Sequence, residues 1–221
     1  LYITHDLAVV AQMADRIKVL LRGDEVEEAT TAKMLKSPKE DYTKSLWAVR
    51  SFKRKQKPMA KKSDVPVVSL KNVTAAYGPV PVLHDVSFDI HRERTVAVVG
   101  ESGSGKSTAA RCITGLLPPL DGQILNNGEP LPAHYRSRNK DQLRQIQMIY
   151  QMADTALNPR MKVSEIIGRP VEFYLGLTGK DKAQKVNRLF EQIELDPDDF
   201  ANRLPTELSG GQKQRIGIAR A

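Results

Sequence analysis

A glycine-rich stretch, Gly100 to Thr108, constrains the fold of this chain more than any other segment. Its sequence is Gly-Glu-Ser-Gly-Ser-Gly-Lys-Ser-Thr, between an apolar run, Thr95–Val99, and a helical pattern over Lys106–Leu116. Glycines let successive backbone N–H groups turn towards an anion, and the start of a helix adds the positive end of its dipole. This order predicts a phosphate-binding turn in an α/β protein, with Thr95–Val99 as a buried strand.

The polar residues of the stretch have the chemistry that nucleotide binding needs. Lys106 can reach the β- and γ-phosphates of a nucleotide, and the hydroxyl of Ser107 can ligate Mg²⁺. A glycine-rich turn without a ligand is the alternative, and a lysine and a serine at the required places argue against it. The predicted nucleotide-binding residues are Gly100, Glu101, Ser102, Gly103, Ser104, Gly105, Lys106, Ser107 and Thr108.

A second motif, Leu208-Ser209-Gly210-Gly211-Gln212, lies near the other end of the chain. Ser209 and the amides of Gly210 and Gly211 begin a predicted helix, which makes this a second possible anion-binding helix start. Alone, a Ser-Gly-Gly sequence is more often a simple helix cap. Its occurrence with a phosphate loop in the same chain makes it more specific.

Together the two motifs resemble those of the nucleotide-binding domain of ABC transporters. The resemblance implies an α/β, P-loop NTPase fold with an antiparallel β subdomain and a helical subdomain. In that family two such domains face each other head to tail, and ATP lies between the phosphate loop of one and the signature motif of the other. The residues that would then contact ATP on a different domain are Leu208, Ser209, Gly210, Gly211 and Gln212.

Three further positions are similar to functional residues of that family. Tyr77, in Ala-Ala-Tyr-Gly, resembles the aromatic residue that stacks on adenine, with a core tyrosine as the alternative. Gln151 resembles the glutamine that senses Mg²⁺ and the coupling interface, with a polar residue at a strand end as the alternative. His5 resembles the switch histidine that contacts the γ-phosphate. The resemblance thus implies catalytic roles for His5 and Gln151, and Mg²⁺ ligation by Ser107 and Gln151.

The order of these motifs predicts how the chain is divided. In the family the switch histidine follows the signature, whereas His5 precedes it here. Residues 1–48 therefore resemble the end of a preceding nucleotide-binding domain, residues 49–64 a basic linker, and residues 65–221 most of a second domain. His5 and the signature would serve one composite ATP site, and Tyr77, Lys106, Ser107 and Gln151 the other.

The family pattern continues after the signature helix with the Walker B strand, which ends in a Mg²⁺-binding aspartate, and then a catalytic glutamate. Residues 1–221 do not include these elements, so the second domain is predicted to be truncated before the Walker B strand. We expect this chain alone to bind nucleotide without hydrolysing it at a useful rate. Residues 1–28 could dock on the sheet of the second domain and cover a strand edge.

The first zone has a local pattern of its own. It predicts a helix from Asp6 to about Ala14, a strand over Ile17–Leu21, a turn at Arg22-Gly23-Asp24 and a strand over Glu25–Glu28. A short helix capped by Thr30 or Thr31 and ended by Ser37-Pro38 is expected next. A further helix should carry Tyr42, Leu46 and Trp47.

Composition limits the partners. The net charge is +8, but much of the excess falls in one acid-free stretch, Arg50, Lys53, Arg54, Lys55, Lys57, Lys61 and Lys62. A solvated, flexible linker is the favoured interpretation, attraction to anionic lipid the alternative, and no nucleic-acid partner is expected. No apolar run approaches the roughly 20 residues of a membrane helix, so we expect membrane contact only through a partner. The single cysteine, Cys112, excludes a disulfide within the chain.

Two segments resemble one subgroup of the family, the fused ATPases of dipeptide, oligopeptide and nickel importers. They are Leu157-Asn-Pro-Arg-Met161 and the Ser37-Pro38 to Lys44 segment. The resemblance implies an ATPase subunit, dependent on ATP and Mg²⁺, at the cytoplasmic face of the inner membrane. Its partners would be membrane permeases, a second nucleotide-binding domain and, indirectly, a periplasmic substrate-binding protein. Met152, where an acidic residue is common, departs from the subgroup pattern.

Three other functions remain open from the sequence. A soluble tandem ABC ATPase acting on ribosomes or DNA would also carry both motifs, and the basic linker mildly favours it. The Asn158-Pro159-Arg160 segment and the Gln212-Lys213-Gln214-Arg215 run argue against it. A small-molecule kinase with a phosphate loop is possible, although the signature argues against it. The third alternative is a nucleotide-binding module without enzymatic activity.

Overall fold

The computed structural model describes residues 7–21, 23–51 and 64–221. The chain divides into two compact units, Leu1–Met59 and Ala60–Ala221, and each has its own hydrophobic core. Within the described ranges no helix combines the length and apolar character needed to cross a membrane.

The described residues of the first unit form a β-hairpin and three helices. In chain order its elements are α1 (Leu7–Met13), β1 (Arg16–Leu21), β2 (Asp24–Thr30), α2 (Thr31–Lys36) and α3 (Asp41–Ser51). The antiparallel pairing runs from Arg16 opposite Thr30 to Leu21 opposite Asp24, with an irregularity after Val19. At the turn Gly23 has a φ of 98°, a conformation that glycine adopts without strain. These elements agree with the predicted ones, except that α3 continues past residue 48.

Alternation along β1 builds the core of this unit. Ile17 and Val19 point inward and pack with the fully buried Met34 of α2. Thr30 occupies the N-cap of α2, but its side chain makes no capping hydrogen bond. The neighbouring Thr31 hydroxyl donates instead to the carbonyl of Ala14 and joins α2 to the end of α1. The partly buried side chains that complete the core are Val10, Ala14, Val26, Ala29, Tyr42, Leu46 and Trp47.

The second unit begins with an antiparallel sheet and the helix that follows the glycine-rich loop. The sheet has the order β4-β3-β5-β6, formed by Val68–Tyr77 (β3), Val80–Ile90 (β4), Asp121–Asn126 (β5) and Glu129–Pro130 (β6). Helix α4 (Lys106–Ile113) packs on it through its buried face. The shared core consists of Val68, Leu70, Val73, Ala75, Leu83, Ala109, Cys112, Ile124 and Leu131.

The rest of the second unit is helical. Its helices are α5 (Lys140–Gln145), α6 (Ala153–Ala156), α7 (Val163–Leu175), α8 (Gly179–Gln192), α9 (Pro197–Phe200) and α10 (Gly210–Arg220), with 3₁₀ turns at Tyr135–Ser137 and Pro205–Glu207. Helices α7 and α8 lie within two residues of the predicted Ser164–Leu177 and Lys180–Glu194. Their core, separate from that of the sheet, consists of Leu157, Val163, Ile166, Ile167, Val171, Val186, Phe190, Ile193, Leu195, Leu208 and Ile216.

One prediction about this unit is wrong: Thr95–Val99 is neither a strand nor buried. The segment has no regular secondary structure, and Val98 and Val99 are 50% and 86% exposed. A central strand is buried only where neighbouring strands pair with its edges and other layers cover its faces. No strand within the described residues pairs with this segment. Its apolar composition therefore does not suffice for burial in this structure.

Candidate functional site

The glycine-rich loop curls at the N-terminus of α4. Gly100, Gly103 and Gly105 have φ values of 154°, 85° and 92°, which side-chain-bearing residues rarely adopt. Between them, the Ser104 amide donates a 3.2 Å hydrogen bond to the carbonyl of Glu101, which closes the turn. The loop thus has the curled backbone that the sequence predicts.

Gly105 also has no room for a side chain. It is the left-handed N-cap residue of α4. A Cβ atom there would lie 2.8 Å from Cδ2 of Leu83 and 3.2 Å from the carbonyl oxygen of Val82 in β4. The glycine therefore lets the first turn of α4 approach the sheet. At that turn the first backbone N–H groups of the helix have no intrahelical partner, as at any helix start.

The ammonium of Lys106 lies across this loop. It donates to the carbonyls of Gly100 at 2.9 Å and Glu101 at 2.5 Å, and to the Ser104 hydroxyl at 3.3 Å. A positive charge, an exposed Ser107 hydroxyl and the start of a helix thus meet at one place. This combination attracts an anion with several oxygen atoms, such as a polyphosphate.

A cleft of about 620 Å³ lies beside α4 and brings two predicted site regions together. Lys106 and Ser107 line one side, and Gln151 with its neighbours lines another. Ser107 and Gln151 are both exposed, so their side-chain oxygens are accessible to an ion. The apolar part of the lining comprises Phe88, Ile90, Val96, Val98, Ala109, Ala110, Ile113, Met148, Ile149, Tyr150 and Met152.

Tyr77 lies near α4 but does not line this cleft. It ends β3 and is 42% exposed, so it is not the core tyrosine considered as the alternative. Its hydroxyl accepts a 2.9 Å hydrogen bond from Nη1 of Arg111, in the last turn of α4. Arg111 could not be predicted as a site residue from the sequence, because no local pattern connects positions 77 and 111.

The second motif forms a capped helix start, as predicted. Ser209 is the N-cap of α10: its hydroxyl accepts from the Gln212 amide at 3.4 Å, and the Gln212 side chain accepts from the Ser209 amide at 2.9 Å. Leu208 is buried, whereas Gly210 and Gly211 are exposed. A Cβ atom at either glycine would meet nothing within 4 Å, so packing within this unit does not require glycine there.

The structure does not unite the two motifs. None of the signature residues lines the cleft beside Lys106.

Among the described residues no group of three or more histidine, cysteine, aspartate or glutamate side chains could hold a metal ion. Ser107 and Gln151 can supply oxygen ligands of the kind that Mg²⁺ prefers, with other ligands from phosphates and water. His5 lies outside the described residues, as does most of the predicted linker.

Comparison with known proteins decides the family. The model of the family described as ABC transporter matches residues 83–221, a range that includes the glycine-rich loop and α10. The chain belongs to the ABC transporter family. The predicted fold class is therefore confirmed: the antiparallel sheet and the helical part of the second unit are those of an ABC cassette.

Relatives of this ABC chain include proteins with the name glutathione import ATP-binding protein GsiA. The one from Shigella flexneri serotype 5b (strain 8401) is 33% identical, over 100% of this chain and 41% of the relative. The one from Escherichia coli (strain K12) is 34% identical with the same coverage. The chain thus spans about two fifths of the length of these relatives.

A solved ABC structure has the same fold. The ATP-binding cassette MJ0796, solved as a dimer in a post-hydrolysis state bound to ADP and phosphate, is 30% identical with a TM-score of 0.58. The match covers 69% of this chain and 68% of MJ0796.

Proposed function

We propose that residues 65–221 form most of a cassette that binds ATP with Mg²⁺, and that the protein energises an importer of peptides or similar small solutes. The observation that carries the proposal is the Lys106 ammonium held over a loop of three glycines with positive φ. An ammonium beside unpaired helix amides suits the β- and γ-phosphates of a nucleotide.

The cleft residues would complete the phosphate site. Ser107 would hold Mg²⁺ through its hydroxyl and Gln151 through its amide oxygen, since both are exposed in one cleft. The bound ion supplies charge neutralisation for the triphosphate. The exposed ring of Tyr77 provides a face on which adenine stacks. Together these residues would hold the base, the phosphates and the ion around α4.

The signature helix would serve a second nucleotide-binding domain. Gly210 and Gly211 are exposed at a capped helix start, with open space where a Cβ would be. Glycine at such a place allows close approach by a ligand held on another domain. Residues 1–48 would be the end of a preceding cassette. The length of the GsiA relatives, of which this chain covers 41%, supports a longer tandem protein.

Transport rests on the relatives. Their name refers to glutathione import and ATP binding, which supports an ATPase role at the cytoplasmic face of the inner membrane with permease partners. The segment with Asn158, Pro159 and Arg160 supports the same importer subgroup. Purification of the full-length protein with membrane permeases would support this role. Purification with ribosomes instead would favour the soluble tandem ATPase.

Nucleotide titration tests the core of the proposal. In the full-length protein, Mg²⁺ and a fluorescent ATP analogue should give saturable binding. Lys106→Met should weaken it by about 10- to 100-fold, the loss expected for charge-assisted hydrogen bonds. Lys140→Met is the matched control, because Lys140 lies over the Phe173 ring, 5.0 Å from its centroid, and not at the loop. Absence of saturable binding, or equal binding by the Lys106 variant, would contradict the proposal.

A further inference from the structure

We propose that Arg111 is a positioning residue that holds the Tyr77 ring in place as a base platform, at a fixed distance from the phosphate loop. The inference rests on the proposed ATP binding and adds a residue to it. It depends on one contact, the 2.9 Å hydrogen bond from Nη1 of Arg111 to the Tyr77 hydroxyl.

The contact joins two elements that carry different parts of the nucleotide site. Tyr77 is the last residue of β3, next to Gly78 of the β3–β4 turn. Arg111 is in α4, whose first residue is Lys106. Arg111 lies five positions after Lys106 in the helix, which corresponds to an axial rise of about 7.5 Å. The hydrogen bond therefore fixes the position of the Tyr77 ring relative to α4, the helix that begins at the phosphate loop.

The geometry leaves the ring available for stacking. The guanidinium carbon of Arg111 lies 5.9 Å from the ring centroid, near the outer limit of about 6 Å for a cation–π contact. Since Nη1 is 2.9 Å from the hydroxyl, the guanidinium lies towards the hydroxyl end of the ring and not closely over its centre. The hydrogen bond is thus the main contact, and the guanidinium does not lie closely over the ring centre on which a base would stack.

An exposed aromatic side chain at a strand end has little packing to fix its rotamer. Tyr77 is 42% exposed, so without Arg111 its side chain would lose more conformational freedom when a base stacks on it. Immobilising such a side chain weakens binding by about 2- to 10-fold. Arg111 contributes by restricting the ring before ATP binds. Arg111 lines the cleft together with Lys106 and Ser107. Phosphate binding should nevertheless not be affected, because the Arg111 guanidinium donates to the Tyr77 hydroxyl whereas the Lys106 ammonium lies at the loop.

A comparison of two ligands distinguishes positioning of the Tyr77 ring from an effect of Arg111 on phosphate binding or on folding. The full-length protein, its Arg111→Gln and Tyr77→Phe variants and the double variant are titrated with Mg·ATP and with magnesium and inorganic tripolyphosphate. Each single variant should weaken ATP binding by about 2- to 10-fold, and the double variant no further, because both remove one hydrogen bond. Tripolyphosphate binding should stay unchanged. Arg111→Lys, which keeps a donor, should recover part of the ATP affinity.

A second arginine–tyrosine pair serves as the control. Nε of Arg136 donates to the Tyr135 hydroxyl at 3.3 Å, with its guanidinium carbon 5.8 Å from the ring centroid. Arg136→Gln removes the same kind of contact away from the loop and should leave the binding of both ligands unchanged. Thermal unfolding of every variant checks that it is folded.

The results that overturn the inference differ from those that overturn ATP binding. Equal weakening of ATP and tripolyphosphate in Arg111→Gln would mean that Arg111 acts on phosphates or on folding. Unchanged ATP binding in Tyr77→Phe, or additive losses in the double variant, would also contradict the positioning role. In those cases Lys106-dependent binding still stands. Absence of binding of both ligands by the unmodified protein overturns both proposals.

Discussion

Lys213 of α10 donates a 2.5 Å hydrogen bond to the carboxylate of Asp154 in α6, three residues after Gln151. Further along α10, the guanidinium of Arg220 donates to the carbonyl of Ala156 at 2.5 Å. The two contacts join the helix that begins at the signature to the short helix after Gln151. The two contacts thereby fix the position of α6 relative to α10, although the two helices lie far apart in the sequence.

The ion pair between Lys213 and Asp154 should stabilise this arrangement modestly. The Lys213 side chain is 17% exposed and that of Asp154 is 67% exposed. Lys213→Met keeps the apolar stem and removes the charge, and should lower the free energy of unfolding by about 0.5–1 kcal/mol. Urea unfolding measures this.

The matched control for that variant is Arg144→Met. Arg144 and Asp141 are 3.4 Å apart, and their side chains are 50% and 77% exposed. Loss of this ion pair should leave the free energy of unfolding almost unchanged, since exposed ion pairs contribute little to stability. The difference between the two variants should shrink in 1 M NaCl. Equal effects of both substitutions would contradict the structural role of Lys213.

Two loop glycines should differ in their tolerance of alanine. Both Gly103→Ala and Gly105→Ala place a side chain at positive φ, at a cost of about 1–2 kcal/mol. Gly103 has nothing within 4 Å of its Cβ position, whereas at Gly105 a Cβ would meet Leu83 at 2.8 Å. Gly105→Ala should therefore lose a further 1–3 kcal/mol or so in urea unfolding. An equal loss for the two variants would mean that β4 moves away from the added methyl group without lowering the free energy of unfolding, and would contradict this prediction.

The rate at which thiol reagents label Cys112 should depend on nucleotide binding, because this residue is buried. It is the single cysteine of the chain and is fully buried in α4, and burial raises the pKa of its thiol. Thiol reagents should label it slowly in the folded protein and quickly after denaturation, because the exposed thiolate reacts. Mg·ATP at about 100 times its Kd should slow labelling by up to roughly 100-fold, if opening of α4 destroys the site. Labelling unaffected by saturating nucleotide would contradict this coupling.

Stability of the first unit should depend on pH through Glu27. Its carboxylate accepts from the amides of Lys39 and Glu40 at 2.9 and 3.1 Å, and these bonds lower the pKa of Glu27. A lowered carboxyl pKa stabilises the fold above the unfolded pKa, and this contribution is lost as the pH falls through the folded pKa. In Glu27→Gln the part of the acid dependence that Glu27 contributes should disappear, so that stability falls less steeply at low pH. Fluorescence of Trp47, the single tryptophan, measures unfolding of this unit.

Salt separates Glu27 from its neighbour Glu28. The pKa of Glu28 is lowered by hydrogen bonds from Arg16 and then from Lys18, which are charged partners. In 1 M NaCl the effect of Glu28→Gln on the pH profile should become smaller, while that of Glu27→Gln should persist, because backbone donors carry no net charge. The same salt response for both variants would contradict these assignments.

Local chemistry explains what could be predicted from the sequence. The curled loop at Gly100–Gly105, the start of α4 at Lys106 and the cap at Ser209 all depend on residues close together in the chain. Glycine dihedrals, capping side chains and helical periodicity act over a few residues, so their patterns predict structure without knowledge of the rest. The hairpin of the first unit was predicted for the same reason.

The sequence by itself determined the curled glycine-rich loop and the capped start of α10, because each depends on short-range patterns, and its two motifs predicted the family that the comparison confirms. Only the tertiary structure decided that Thr95–Val99 is exposed, that Arg111 contacts Tyr77 and that Lys213 contacts Asp154. Burial of a strand depends on its neighbours, and a side-chain contact depends on where two distant elements pack. Neither is present in the local sequence, since both arise from the packing of elements that lie apart along the chain.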